Sequence, residues 1–427
     1  MILRMFRKKF SECGAFTKNS LFLFVGSMVV GILNYIFHLV IGRQVSVSVY
    51  GEAEALISLI AIISVPAATL TMVATKYVAA CKVENNKKGS KNILSYLNKK
   101  MFKYGIPVFA LAVIATPIIG KALNIQNSFA LVLIWLSMFL SFFAAINSGV
   151  LRGWQKFKDI SLSGVWGTIA KLVFGIVFVN AGFALNGIIG GFVLGTLVSY
   201  VATIFFLKFI NSKKEEYGKL DCDNLVDFKS LKKFILPVFV GNLAIAILSN
   251  ADMVLAKHNL DALSAGQYGA LTIVSKIIFF GTGVLASVLF AMSAENSHKG
   301  DSSLHILKTA LALVLVASGG ATIIYFLYPT LILSLLFGDK YASSSQFLGW
   351  LAISVSLFSL ANVIFQYLLS RHKTKISYVL LTISIFMSLL IGIFGKTIGT
   401  IIPIVIVFQA VSVGIGVYFL LKLRKKK

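Results

Sequence analysis

Residues 128–151 read SFALVLIWLSMFLSFFAAINSGVL, and residues 152–159 continue RGWQKFKD. The first stretch holds no charged side chain. The second holds Arg152, Lys156, Lys158 and Asp159. A helix rises about 1.5 Å per residue, so roughly 20 apolar residues cross a hydrocarbon core about 30 Å thick. The stretch therefore reads as a membrane-crossing helix ending in a basic flank, as spans do at the cytoplasmic face. The chain around it has the same character: 58% of its 427 residues are hydrophobic and 13% charged. A soluble globular chain is nearer half apolar and a quarter charged. Such a composition excludes a soluble enzyme, a disordered chain and a disulfide-stapled domain.

Working outward, twelve such runs are found: Leu21–Gly42, Ala55–Ala79, Tyr104–Gly120, Ser128–Leu151, Ile160–Ala181 and Ala184–Phe209, then Phe234–Ala256, Tyr268–Ala294, Leu304–Tyr328, Phe347–Ser370, Ile376–Gly395 and Thr397–Leu421. The expected fold class is an all-α polytopic membrane protein with about twelve transmembrane helices. Its organisation reads as a basic N-terminus (1–19), a first lobe (20–209), a linker (210–233), a second lobe (234–421) and a basic tail (422–427).

Forty Lys and Arg face fifteen Asp and Glu, a formal net charge of +25. If the runs alternate across a bilayer, 32 of the forty fall on one side, including seven lysines in 80–103 and seven in 208–233. The other side keeps Arg43, Lys121, Lys257, Lys340 and Lys396. This bias places both termini in the cytoplasm and explains the charge by membrane lipid, with no nucleic acid partner. Cys13, Cys81 and Cys222 all fall on that side and lack metal or redox spacing, so no cofactor is expected. The first apolar run reads as an uncleaved helix. Residues 2–10 could lie in the interface or simply flank that helix.

The halves resemble each other. Tyr50-Gly51 precedes span two as Tyr268-Gly269 precedes span eight, and Leu151-Arg152 ends span four as Ser370-Arg371 ends span ten. His38, five residues before Arg43, matches Asp252, five before Lys257. Six spans per half make this a parallel repeat, a plan in which secondary transporters place substrate between halves.

Three segments carry a resemblance to a family: GILNYIFHLVIGRQVSVSVYGEAEALISLI (31–60), GVLRGWQKFKDIS (149–161) and LSNADMVLAKHNLDALSAGQYGALTIVSKI (248–277). They resemble the polysaccharide-biosynthesis flippases of the multidrug/oligosaccharidyl-lipid/polysaccharide (MOP) exporter superfamily. The resemblance implies two six-helix lobes around a cavity, alternating access, and movement of a polyprenyl-diphosphate-linked oligosaccharide to the outer leaflet of the cell membrane. It also implies a coupling ion, Na⁺ or H⁺, and partners in polysaccharide assembly. It carries over Asp252 and the two Tyr-Gly pairs.

A charge at a helix centre costs about 2.5–3.5 kcal/mol on insertion scales, so retained ones face a cavity or a partner. The runs contain Lys76, Lys171, Lys276, Asp252 and the titratable His38. Lys171, halfway along its span, is the strongest candidate to meet an anionic diphosphate, with Lys76 second. Lys76 lies near the cytoplasmic end, where its stem also lets it snorkel. Asp252 and Lys276 either serve ion coupling or neutralise each other. Asn34 and His38 share a helical stripe, Asn242 shares one with Ser249 and Asp252, and Asn362 and Gln366 share one with Ser359. With Asn147, these could line a hydrated cavity or form interhelical hydrogen bonds. Gly187, Gly191 and Gly195 make a close-packing face, and Pro66 and Pro117 are expected kinks.

An alternative within the superfamily is a multidrug/cation antiporter, which needs intramembrane carboxylates. Spans one to six as drawn hold none, because Glu52 and Glu54 fall just outside. A membrane-embedded glycan polymerase or acyltransferase would need paired carboxylates, a His dyad or a metal site, and none is read from the loops.

Overall fold

The computed structural model describes residues 15–211, 228–296, 303–370 and 374–424. No strand occurs among the described residues. The first half comprises α1 (Ala15–Gln44), α2 (Val47–Ile63), α3 (Val65–Val83), α4 (Lys87–Ile114), α5 (Thr116–Ala122), α6 (Ser128–Gly153), α7 (Phe157–Phe178) and α8 (Ala184–Phe206). The second comprises α9 (Phe228–Asn259), α10 (Ala262–Asn296), α11 (Ser303–Leu327), α12 (Pro329–Phe337), α13 (Leu348–Ser370), α14 (Lys375–Phe394) and α15 (Ile398–Arg424). Cys13, Cys222, residues 2–10 and most of the 210–233 linker lie outside the described residues.

Among the described residues, ten helical stretches are long and apolar enough to cross a membrane, and the bent pair α4–α5 makes an eleventh. The longest, Phe157–Ile210, has 54 residues, too many for one crossing. It is a hairpin. The chain reverses in a π turn over Val179–Phe183, where Gly182 has φ 90°, a left-handed value that glycine adopts without steric cost. Beyond the turn, Gly187 packs on Phe178, Gly191 on Gly175, and Gly195 on Lys171 and Gly167. One number rises as the other falls, so α7 and α8 run antiparallel, with the glycines letting their backbones meet. Counting the hairpin as two gives twelve crossings.

Side-chain contacts test the alternation of direction. Ser161 donates to the Phe22 carbonyl at 2.9 Å and Gly175 packs on Phe37, so α1 and α7 run parallel, as first and fifth spans should. Thr71 and Thr75 donate to the Ala145 and Gly149 carbonyls, making α3 and α6 parallel. In the second half Asn259 donates to the Ile391 carbonyl and Gly241 packs on Ser377, so α9 and α14 repeat the first–fifth pairing.

Two features depart from the sequence expectation. Residues 87–103, expected as a loop, continue the third span as one helix. Ile93, buried on its inner face, packs in a core with Cys81, Val78, Val150 and Leu151, while Lys88, Lys91, Lys99 and Lys103 are exposed. Residues 47–54, expected outside the membrane helices, form the first turns of α2, begun by Ser46, whose side chain accepts from the Val49 N–H. The helix breaks at Ser64 before Pro66, and α4 and α5 are bent by 52° just before Pro117.

The chain forms two compact units. The first takes Met1–Phe37, Pro66–Pro117 and Asn127–Leu231, and the second takes His38–Val65, Ile118–Gln126 and Lys232–Lys427. Relative to a division at the linker, residues 38–65 and 118–126 cluster with the second half. The reason for the former is local: α2 lies against α10, with the Gly51 backbone on Gly266 and Gly269 on the stem of Glu54. These are the glycines of the repeated Tyr-Gly pairs and a neighbour.

Candidate functional site

In the first unit, Lys171 is buried, with 8% exposure. Its ammonium donates to Asn34 Oδ1 on α1 and lies 4.5 Å from the Phe37 ring and 4.4 Å from the Phe192 ring. The two rings meet edge to face at 5.4 Å. Gly195 makes room beside the lysine, since a Cβ there would come within 2.7 Å of Lys171 Cβ. A cation–π contact contributes about 0.5–2 kcal/mol and a hydrogen bond to a charged group about 1.5–3 kcal/mol. Two rings and one amide therefore offset an insertion cost of about 3 kcal/mol. The fold thus holds a cation at span depth, presented on aromatic faces. The structure joins Asn34 and Lys171, two residues singled out from the sequence. Lys76 is exposed on α3. Asn147 is buried and donates to Thr203 at 3.0 Å, an α6–α8 packing bond.

The second unit carries a different chemistry. His38 Nδ1 lies 2.5 Å from Glu54 Oε1 and 3.4 Å from the Tyr50 hydroxyl. Glu52 pairs with the buried Lys257 at 3.3 Å. A cavity of about 230 Å³ is lined by Asn250, Asp252, Thr272, Lys276, Ser354 and Gln409 among others. Asp252 is buried; its Oδ2 accepts the Tyr268 hydroxyl at 2.7 Å and its Oδ1 has no hydrogen-bond partner. Lys276 donates to Asn250 Oδ1 at 3.1 Å, so it shares the cavity with Asp252 and contacts an amide in place of the carboxylate. Gln409 donates to the Leu248 carbonyl at 2.9 Å. Asn242 and Asn362 are half-buried and Gln366 is exposed; none of the three lines this cavity. Among the described residues, no group of three His, Cys, Asp or Glu could hold a metal ion.

Sequence reasoning missed Glu54, Asn250, Gln409 and the two phenylalanines. Glu54 had a legible signal, because Ser46 at an N-cap starts the helix eight residues earlier than hydropathy alone suggests. Phe37 lies three residues after Asn34, hence on the same face, a spacing that points to Lys171 once its neighbour helix is known.

A profile of the family described as lipid II flippase MurJ matches residues 81–427. The chain belongs to the MurJ lipid II flippase family. Like that family it is a transporter and not an enzyme, a multi-pass protein of the cell membrane. No curated protein sequence matches it. Among solved structures, the lipid II flippase MurJ in an inward closed conformation superposes with a TM-score of 0.70 at 17% identity, covering 95% of this chain and 87% of that one. An inward-facing multidrug resistance MATE transporter of the MOP superfamily gives 0.65 at 15% identity, covering 92% and 99%. The outward-facing form gives 0.59 at 14%, covering 95% of each. At these identities the likeness is one of fold.

Proposed function

We propose that the chain moves a polyprenyl-diphosphate-linked saccharide from the inner to the outer leaflet by alternating access. The observation that carries this is Lys171: a cation retained at span depth, held by one amide and two aromatic faces, is suited to an anionic headgroup that must leave water. Asn34 positions the ammonium, and the polyprenyl tail stays in lipid. The saccharide belongs either to a surface polysaccharide or to peptidoglycan, the latter being what the family description names through lipid II. In the polysaccharide case the chain works beside polysaccharide assembly partners. Asp252 and Lys276 belong to the coupling machinery of the second unit.

The test is expression of the chain in two hosts, one depleted of its lipid II flippase and one lacking a surface-polysaccharide flippase. Rescue of either supports the class and picks the saccharide; rescue of neither overturns it. One observation favours a second reading, cation export: Glu54 and Asp252 are buried carboxylates, the groups that hold cationic drugs. Raised drug resistance on expression, with no rescue of either host, would favour that reading.

A further inference from the structure

The 230 Å³ cavity lies wholly within the second unit, walled by α9, α10, α13 and α15 with Ala61 of α2. Two oxygens on its lining residues, Asp252 Oδ1 and Gln409 Oε1, accept no hydrogen bond. Both residues are buried, at 5% and 2% exposure, and a buried acceptor left without a donor is costly. The other end of each group is anchored: Asp252 Oδ2 accepts from the Tyr268 hydroxyl at 2.7 Å, and Gln409 Nε2 donates to the Leu248 carbonyl at 2.9 Å. The two open oxygens are therefore held in place. Lys276 spends one of its three N–H groups on Asn250 and keeps two. Much of the remaining wall is aromatic: the Phe279 ring lies 5.0 Å from the Phe358 ring and 5.5 Å from the Phe280 ring. A ligand that fits this wall donates two hydrogen bonds, accepts one from an ammonium, and turns an apolar face to the rings. A bare cation would meet Lys276 and a bare anion Asp252, so the ligand is an uncharged polar group. The volume of 230 Å³ is below the roughly 300–1,000 Å³ of drug-sized sites, which limits that group to about one six-membered ring with its substituents.

We propose that this cavity is a saccharide subsite that takes one pyranose ring of the cargo. Two O–H or N–H groups on the ring donate to Asp252 Oδ1 and Gln409 Oε1, a substituent oxygen accepts from Lys276, and the C–H face of the ring rests on Phe279 and Phe280. A pyranose is the chemical class that combines these demands, because its hydroxyls lie at the ring edge and its C–H groups on the ring face. Water, at roughly 30 Å³ per molecule, is the competing occupant: it serves the two oxygens and leaves the aromatic wall unused. This inference rests on the transport reading above for the class of cargo. It gives the Asp252–Lys276 group, placed above in the coupling machinery, a cargo to sense.

The test uses the purified full chain in a detergent without a sugar headgroup, with methyl N-acetyl-β-glucosaminide as probe and saturation-transfer NMR as readout. Wild type is expected to bind the probe with a dissociation constant of about 1 mM. Ser354→Leu fills the cavity, and Gln409→Met removes the open oxygen at similar side-chain length. Each is expected to weaken binding by about tenfold or more. Thermal unfolding shows which variants are folded, and the two act through different chemistry, so one suffices if the other fails to fold. Absence of saturation transfer in wild type, or undiminished binding in either folded variant, overturns the proposal and leaves water as the occupant. The site and the transport reading fail separately. Rescue of a host without probe binding removes the saccharide site and keeps the transport reading, whereas probe binding without rescue of either host keeps the site and removes that reading.

Discussion

Replacing Lys171 with Met separates a cargo-binding lysine from a merely structural one. Methionine is close in length, so packing against Gly195, Phe37 and Phe192 is largely kept. Removing the ammonium recovers about 2.5–3.5 kcal/mol of insertion cost. It forfeits two cation–π contacts of about 0.5–2 kcal/mol each and a charge-assisted hydrogen bond of about 1.5–3 kcal/mol. At the middle of these ranges the loss exceeds the gain by about 2 kcal/mol, so a modest drop in stability of that order is expected. Loss of the ammonium that α7 tethers to Asn34 should, by contrast, abolish rescue in the complementation hosts. The assay pairs rescue with thermal unfolding of the purified protein in detergent. Wild-type rescue by Lys171→Met would refute the cargo role. A collapse in thermal stability, with the protein failing to fold, would instead make Lys171 a structural lysine and refute the balance worked out above.

Three further outcomes follow from the packing. Gly266→Ala drives a Cβ into the Val47 backbone of α2, an overpacking worth about 1–3 kcal/mol or more, whereas Gly281→Ala on the same helix meets open space; thermal unfolding should fall only in the first. Gly195→Leu pushes against Lys171 Cβ and the Gly167 carbonyl, so it should impair rescue as well as stability, and rescue at wild-type level would contradict the α7–α8 packing. Lys340→Met strips donors from the Arg43 and Val45 carbonyls at the end of α1, and a loss of about 0.5–2 kcal/mol is expected in denaturant unfolding; no loss would show that water serves those carbonyls equally well.

Hydropathy made the crossings legible because each span must be apolar along its length, and the parallel and antiparallel contacts follow from alternation alone. Hydropathy could not mark where a helix begins in water. Hydropathy alone therefore leaves residues 87–103 and 47–54 in loops, although Asn86 and Ser46 cap the helices that contain them. In the site, Lys171 and Asn34 were visible because the bilayer makes any polar residue conspicuous. Phe37 and Phe192 were not, since a phenylalanine in a span carries no such mark until its neighbour is known. Asp252 and Lys276 were visible for the same reason as Lys171, but their partners, Tyr268 and Asn250, depend on how α9 rotates against α10. That rotation is set by tertiary packing and not by spacing.

The clustering of residues 38–65 with the second half bears on how the protein can be cut and recombined. The polar stretch 210–233, read from the sequence as a linker, is the obvious seam for a chimaera between two such exporters. A join there would transplant α2 without α10, setting Gly51 against a foreign residue in place of Gly266 and parting Glu54 from Gly269. The halves of the gene are therefore not the exchangeable modules. An exchange that respects the contacts has to carry residues 38–65 and 118–126 along with everything after 231. A helix of the first half thus depends for its packing on a helix of the second.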